Sequence, residues 1–283
     1  MRRELPTLLL LAAVSISTGS VARESAIAPA PKRAASGRRA VVVAARSIGS
    51  PTDGKLEGAV ALESGPEIRL RHPNGANYGL PALVGMLERS AKRIASRFAG
   101  ATVHVGDLSR REGGEISGHR SHESGRDADV AFLFVGPEGE SVSPSEFMTV
   151  DPKGIALENR KYRFDDARNW ALVEAWVTDP GARVEHIFVA SGVKARLLAH
   201  ARSKGTYLPV LHRAAMAMKQ PSAGQVHDDH FHVRIACPAR QGRTCIPAPT
   251  RGQPPTKPAS LTRPSPAPPA LVKPNKGRET TRR

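Results

Sequence analysis

The chain has 283 residues and a formal net charge of +16, with 40% hydrophobic and only 4% aromatic residues. The hydrophobic content permits a folded core and excludes wholesale disorder, and the few aromatic residues argue against a stacking platform for single-stranded nucleic acid. The charge is concentrated in the flanks, because residues 23–46 carry +5 and residues 247–283 carry +7, whereas residues 47–246 carry only +3. No nucleic-acid partner is therefore expected for the central block.

The N-terminal residues have the pattern of a secretory signal peptide. A positive start at Met1-Arg2-Arg3 precedes a short apolar run over residues 5–16, and Ser20-Val21-Ala22 supplies the small residues that a signal peptidase reads. We expect cleavage after residue 22, which would leave no membrane span; an uncleaved anchor is the alternative. In an exported protein, the two cysteines, Cys237 and Cys245, are expected to form a disulfide.

The composition of the remaining chain predicts three parts. Residues 23–46 are rich in Ala, Arg, Ser and Pro, which indicates a flexible basic linker. Residues 47–246 have the length and hydrophobic content of one folded domain. Residues 247–283 contain many prolines among Lys and Arg, which indicates a disordered tail.

Hydrophobic spacing in the central block predicts both helices and strands. The predicted helices cover residues 80–98, 165–178, 193–201 and 208–218. The predicted strands cover residues 102–105, 128–135, 184–190 and 230–236, with a polar loop at 109–125. Because strands and helices mix without regular alternation, we predict an α+β fold with a small central antiparallel sheet and flanking helices.

Five of the ten histidines fall in two short clusters, at residues 117–130 and 226–235. These are His119, His122, His227, His230 and His232. Both clusters run into predicted strands, on which alternate residues share a face. His230 and His232 are therefore expected to point together, and so are Asp127 and Asp129. Each cluster would place imidazoles or carboxylates at the rim of the sheet, with an apolar face behind them.

This set of side chains is typical of a catalytic zinc site, which uses three protein ligands and keeps one position open for water. His122, Asp129 and His232 would supply two imidazoles and one carboxylate. Zinc-bound water loses a proton near neutral pH and becomes a nucleophile. The remaining clustered histidines, His119, His227 and His230, could act as base, acid or oxyanion stabiliser, because imidazole titrates near pH 7.

The residues alone leave several alternatives open. The histidines could be structural or surface groups, or they could form a non-catalytic metal store. Asp127 could replace Asp129 as a ligand if the strand register differs. Asp228 and Asp229 are interpreted as a solvated turn, although they could instead support a neighbouring histidine from behind.

The string Gly118-His119-Arg120-Ser121-His122-Glu123-Ser124-Gly125-Arg126-Asp127-Ala128-Asp129-Val130 resembles the His-x-x-x-x-x-x-Asp motif of the penicillin-insensitive murein endopeptidases. The segment from Val226 to Pro238 resembles their C-terminal His-x-His strand. Shorter matches are Tyr78-Gly79-Leu80-Pro81-Ala82-Leu83, Val105-Gly106-Asp107-Leu108-Ser109, Gly113-Gly114 and Ile187-Phe188-Val189. The wider clan of lysostaphin-like and D-Ala-D-Ala peptidases shares the two histidine motifs, and the shorter strings narrow the resemblance to this family. The resemblance covers about residues 47–246.

The resemblance implies one catalytic Zn²⁺ on His122, Asp129 and His232, with His230 as general base. It also implies that His227 and His119 line the site and steady the tetrahedral oxyanion. The implied reaction is hydrolysis of D,D crosslinks between the stem peptides of peptidoglycan, in the periplasm. Some family members carry a second, peripheral zinc, which is not expected here because Asn159-Arg160-Lys161-Tyr162 lacks both of its ligands. The cysteine pair also stands where the family places a bridge.

Two rival functions remain at the level of sequence. A D,D-carboxypeptidase or dipeptidase of the same clan would use the same motifs, because closure of the pocket decides between endo and exo cleavage. A non-catalytic cell-wall-binding protein could use the basic flanks instead. The sequence makes no prediction of the oligomeric state.

Overall fold

A computed structural model describes residues 44–72, 75–222 and 226–247. The predicted signal peptide, the predicted linker up to residue 43 and the predicted tail after residue 247 lie outside the described residues. Arg46, the last residue of the predicted linker, already belongs to the first strand. Within the described ranges, no helix combines the length and the apolar character needed to cross a bilayer.

The described residues form four α-helices, one 3₁₀ helix and thirteen short strands. The helices are α1 (Pro81–Arg97), α2 (Asp166–Val177), α3 (Ser191–Ser203), α4 (Leu208–Ala217) and the 3₁₀ helix Ala239–Thr244. The strands are β1 (Arg46–Ser50), β2 (Asp53–Glu57), β3 (Val60–Ala61), β4 (Ile68–Leu70), β5 (Tyr78–Gly79), β6 (Val103–Val105), β7 (Asp127–Ala131), β8 (Phe134–Val135), β9 (Ser141–Val142), β10 (Arg163–Phe164), β11 (Val184–Phe188), β12 (Met218–Lys219) and β13 (His230–Ile235).

The main sheet has six strands in the order β12-β11-β13-β7-β6-β4. The inner pairs β11–β13, β13–β7 and β7–β6 are antiparallel, as predicted. The outer pairs β4–β6 and β11–β12 are parallel, so the predicted small antiparallel sheet is in fact a six-stranded mixed sheet with antiparallel inner pairs. The reason is connectivity: α1 lies between β4 and β6, and α3 and α4 lie between β11 and β12. A connection through a helix returns the chain to a parallel strand. The fold is mixed α/β.

The four predicted helices are confirmed to within two residues at each end. The strand predicted at 128–135 is instead divided into β7 and β8, which belong to different sheets. Between them, the Leu133 amide donates to Asn169 Oδ1 and the Leu133 carbonyl accepts from the Asn169 side chain, at 3.0 and 2.7 Å. The chain leaves the main sheet at this point because Leu133 is bonded to α2, which is a tertiary contact.

One face of the two central strands packs into the core. On β13, Phe231, Val233 and Ile235 are at most 2% exposed. The indole of Trp176, from α2, meets the ring of Phe231 edge to face at 5.5 Å, so the tryptophan packs in the core. The alternate residues of β13 and β7 therefore project from the opposite face, which carries the clustered histidines and aspartates.

The loop that leads into β7 is held against the first hairpin and α1. The Leu80 amide, at the start of α1, donates to the Gly125 carbonyl at 2.9 Å. Gly125 has φ +73°, and a Cβ there would lie 2.6 Å from the methyl carbons of Leu56. Only glycine meets both conditions without strain, so this residue fixes the path of the chain between the histidine loop and the strand that carries Asp129.

The predicted disulfide between Cys237 and Cys245 is confirmed, with a Cα–Cα distance of 5.7 Å. It closes a loop around the 3₁₀ helix just after β13. The same region contacts β1, where the Ser47 amide donates to Gln241 Oε1 at 2.9 Å. The bridge therefore closes the segment in which Gln241 bonds the end of the described domain to its beginning.

Candidate metal centre

His122 lies in the polar loop before β7, in a backbone conformation that is unusual for a residue with a side chain (φ +79°). Its Nδ1 is 2.7 Å from the carbonyl oxygen of Leu108, so the Nδ1–H donates to that carbonyl. The lone pair is therefore on Nε2. Nε2 is buried and has no hydrogen-bond partner within the described ranges. The loop thus holds the imidazole with an unsatisfied acceptor directed into the protein.

Asp129, in the middle of β7, presents the carboxylate on which the cluster converges. Its Oδ1 is also buried and makes no hydrogen bond to the described part of the chain. Three imidazole nitrogens surround this oxygen: His232 Nδ1 at 3.2 Å, His122 Nε2 at 3.4 Å and His230 Nε2 at 3.5 Å. His232 is paired directly with Asp129 across β13 and β7, so both side chains leave the same face of the sheet.

The donor chemistry of this cluster fits a metal ion. Leaving a buried polar atom without a partner costs about 1–3 kcal/mol, and His122 Nε2 and Asp129 Oδ1 face each other in this state. Burial alone would raise the pKa of Asp129, but the imidazoles of His122 and His230 hold it well below its ordinary value. An ionised carboxylate beside imidazole lone pairs is a ligand set that suits a divalent cation.

His119 reaches the same carboxylate from the loop. His119, His122 and Asp129 each offer one ligand atom, and these atoms lie within 4.8 Å of one another. His119 Nδ1 is 3.6 Å from Asp129 Oδ2, and its Nε2 is 3.0 Å from Asp107 Oδ2. Among the described residues, a possible metal site therefore exists, and it includes one histidine that we predicted as a catalytic group.

His232 is held from behind in a similar way. Its Nε2 lies 2.8 Å from Asp127 Oδ1, which leaves Nδ1 directed at Asp129. The same Asp127 oxygen accepts from Arg234 Nε at 2.5 Å. Burial would raise the pKa of Asp127, but Arg234 and His232 hold it below its ordinary value. Asp127 thus contacts His232 and Arg234, as expected for a residue that orients a ligand from its far side.

His230 stands at the start of β13, where the chain enters the sheet. Its Nδ1 is 2.6 Å from Asp229 Oδ1, so the interpretation of Asp229 as part of a solvated turn is wrong. Burial would lower the pKa of His230, but the carboxylates of Asp129 and Asp229 raise it to about 9. A cation that neutralised the charge of Asp129 would lower this pKa, because that carboxylate contributes most to raising it.

His227 lies beside His230 and His232. Its ring centre is 4.9 Å from that of His230 and 5.5 Å from that of His232. Its backbone has φ +58°, and its carbonyl accepts from the Ala190 amide at 2.8 Å. All six predicted site residues therefore lie together over one face of the two central strands: Asp129, His230 and His232 from the strands, and His119, His122 and His227 from loops.

Phe147, which was not predicted from the sequence, also contacts the cluster. Its ring stacks on His230 with 4.5 Å between ring centres and 16° between planes, and the Arg71 guanidinium lies 3.8 Å from the Phe147 ring centre. The ring fits because residue 106 is glycine: a Cβ at Gly106 would lie 2.9 Å from Phe147 Cζ. Phe147 belongs to a segment in which apolar residues show no regular spacing. Its contact with His230 is therefore visible only in the folded chain.

A mixed α/β fold with a buried cluster of histidines around an aspartate defines a candidate metal-dependent enzyme. Residues 47–257 match the sequence model of the penicillin-insensitive murein endopeptidases, and the chain belongs to that family.

Several relatives carry that name. The protein from Haemophilus influenzae is 34% identical over 205 residues, which cover 69% of this chain and 65% of that protein. The protein from Pectobacterium atrosepticum is 28% identical over 200 residues, which cover 69% of this chain and 66% of that protein. A protein from Escherichia coli O157:H7 is 27% identical over 247 residues, which cover 84% and 80%. The chain thus spans just under two thirds of the length of the first two relatives.

Proposed function

We propose that this protein is a zinc-dependent murein endopeptidase that hydrolyses D,D crosslinks between peptidoglycan stem peptides. The observation that carries the proposal is the pair of buried acceptors, His122 Nε2 and Asp129 Oδ1, which face each other without a hydrogen-bond partner among the described residues. Family membership supports peptidoglycan as the substrate, since the relatives are named murein endopeptidases. The proposed location is the periplasm, after removal of residues 1–22, with residues 47–246 as the catalytic domain between two basic flanks.

We assign one Zn²⁺ to His122, Asp129 and His232. A zinc ion held there supplies Lewis acidity and lowers the pKa of water to near neutrality. The backbone carbonyl of Leu108 and the carboxylate of Asp127 each occupy the far nitrogen of a ligand histidine, which leaves the other nitrogen directed at Asp129. His119 is the alternative third ligand, because its Nδ1 is also directed at Asp129. The test is zinc content: His232→Ala should lose the metal and His119→Ala should keep it.

His230 is the proposed general base. Its Nδ1–H donates to Asp229, so Nε2 is the nitrogen that takes the proton from the attacking water. The base form is the neutral ring, and a cation that offset the charge of Asp129 would favour this form by lowering the pKa of His230. Protonated His230 can then return the proton to the leaving amine.

His119 and His227 are proposed to stabilise the negative charge that develops on the carbonyl oxygen of the scissile amide. The ring of His119 is bonded to Asp107, and the backbone of His227 is bonded to Ala190, so both residues have a contact that helps to position them. Donors that are fixed before the reaction stabilise a developing oxyanion better than mobile water does.

The products of crosslinked muropeptides distinguish this proposal from the two rivals. We expect purified protein to convert muropeptide dimers to monomers, with loss of activity on chelation and recovery on addition of zinc. Release of only terminal D-Ala or D-Ala-D-Ala would identify a carboxypeptidase or dipeptidase. Binding to sacculi without any cleavage, with or without zinc, would identify a wall-binding protein.

Phe147 is expected to affect the rate of catalysis more than metal binding. Phe147→Leu removes the flat surface on which His230 stacks, so we expect kcat to fall by about tenfold while zinc content is unchanged. Steady-state kinetics and metal analysis of the variant check this. Phe147→Tyr, which keeps the ring, should stay within about twofold of the wild type; equal losses in both variants would contradict a role for the stack.

A further inference from the structure

A row of side chains continues from the metal centre across the main sheet. Phe188 on β11 pairs with His232 on one side and with Lys219 on the other. The three side chains therefore lie on the face of the main sheet that carries the clustered histidines and aspartates. In the neighbouring row, His186 pairs with Arg234 on the same face. The function proposed above leaves Lys219, Phe188 and His186 without a role.

Two cations lie around the half-buried ring of Phe188. The Arg234 guanidinium carbon is 5.2 Å and Lys219 Nζ is 5.4 Å from the centre of the ring. The Arg234 side chain is only 7% exposed. Its Nε donates to Asp127, but its terminal nitrogens make no hydrogen bond to any residue in the described ranges. The guanidinium therefore retains N–H donors that could receive an external acceptor.

Lys219 is an exposed residue, and its ammonium group lies beside an imidazole on the same sheet face. Its Nζ is 2.9 Å from His186 Nε2. Burial and the charges of Lys219 and Arg234 lower the pKa of His186 to about 4, so the neutral ring accepts from the ammonium group. Within the described part of the chain, Lys219 forms no ion pair with a carboxylate.

The charges in this region do not balance. Asp127 compensates Arg234, and Glu185 lies 3.5 Å from Arg126. Burial and the proximity of Arg234 lower the pKa of Lys219, and Glu185 offsets only part of this effect. An anion at Lys219 and Arg234 would relieve the repulsion between them.

We propose that Lys219 and Arg234, with Phe188 as the floor, form a subsite for a carboxylate of the bound stem peptide. The inference rests on the proposed function, which supplies a peptide substrate that carries free carboxylates. Two N–H groups of a guanidinium match a carboxylate in geometry, and an ammonium group adds a point charge. The strand of Lys219 is three strand spacings from that of Asp129, about 14 Å, which an extended peptide covers in about four residues. A stem peptide whose scissile bond lies at Asp129 can therefore reach the subsite.

Substrate amidation provides the test, because it removes the carboxylates without removing the peptide. Cleavage of a crosslinked muropeptide is compared with cleavage of the same compound in its amidated form, at fixed ionic strength, for wild type and Lys219→Met. We expect Lys219→Met to raise KM for the free-acid substrate by about tenfold and that for the amidated substrate by less than twofold. Lys219→Arg, which keeps the positive charge, should keep KM for the free-acid substrate close to the wild-type value. Lys92→Met, at an exposed lysine of α1, should change KM for neither substrate.

The outcome for the subsite can be separated from the outcome for the endopeptidase. Calorimetric binding of an uncrosslinked stem tetrapeptide, in free-acid and amidated forms, requires no cleavage. Tighter binding of the free acid by the wild type, lost in Lys219→Met, supports the subsite even if dimers are never cleaved. The subsite would be overturned if Lys219→Met weakened binding of both forms equally, or if it did not weaken binding of the free acid.

Discussion

Replacing Asp129 with asparagine is expected to remove stoichiometric zinc and to lower kcat/KM by at least about 10³-fold, because the metal contributes several kcal/mol to the transition state. The side chain keeps its size but loses the charge on which His122, His230 and His232 converge. Metal analysis after dialysis and cleavage of muropeptide dimers measure the two effects. Zinc should also raise the melting temperature of the wild type and not that of the variant, because binding to the folded state alone stabilises it.

The control for this variant is Asp53→Asn, at an exposed carboxylate of the first hairpin, which should keep both zinc and activity. Asp127→Asn provides an intermediate case. It leaves the proposed ligands in place but weakens the hydrogen bond by which residue 127 orients His232. We therefore expect a loss of about 10–100-fold in zinc affinity. Full zinc occupancy in Asp129→Asn would contradict the assignment of Asp129 as a ligand.

His230→Gln is expected to lower kcat by about 10²–10⁴-fold while zinc remains bound, because a general base contributes an effect of this size. Glutamine retains a polar group at the position but cannot accept the proton. The opposite pattern, in which zinc is lost with the activity, would make His230 a ligand. His212→Gln, at an exposed histidine of α4, is the matched control and should behave as the wild type.

Local patterns in the sequence predicted a large part of the site. The alternation on β7 and β13 correctly placed Asp127 with Asp129 and His230 with His232, because the face of a strand residue depends only on its position along the strand. The helices were predicted for the same kind of reason, since a 3.6-residue hydrophobic period is a local signal.

The features that the sequence did not reveal depend on contacts between distant parts of the chain. The parallel outer strands follow from the helical connections, and the break between β7 and β8 follows from the bonds of Leu133 to Asn169. Phe147 and Arg71 come from separate segments and meet only over His230. The bond between Asp229 and His230 is local, but a neighbouring Asp and His are equally compatible with a solvated turn.

Cleavage of peptide crosslinks is proposed to require a zinc ion bound by Asp129 and its histidines. The decisive measurement is metal analysis of the purified wild-type protein, run on the same sample as digestion of muropeptide dimers. We expect one zinc per chain and conversion of dimers to monomers in proportion to the zinc bound. Cleavage of dimers by protein free of metal, or inactivity of fully zinc-loaded protein toward dimers, would contradict it.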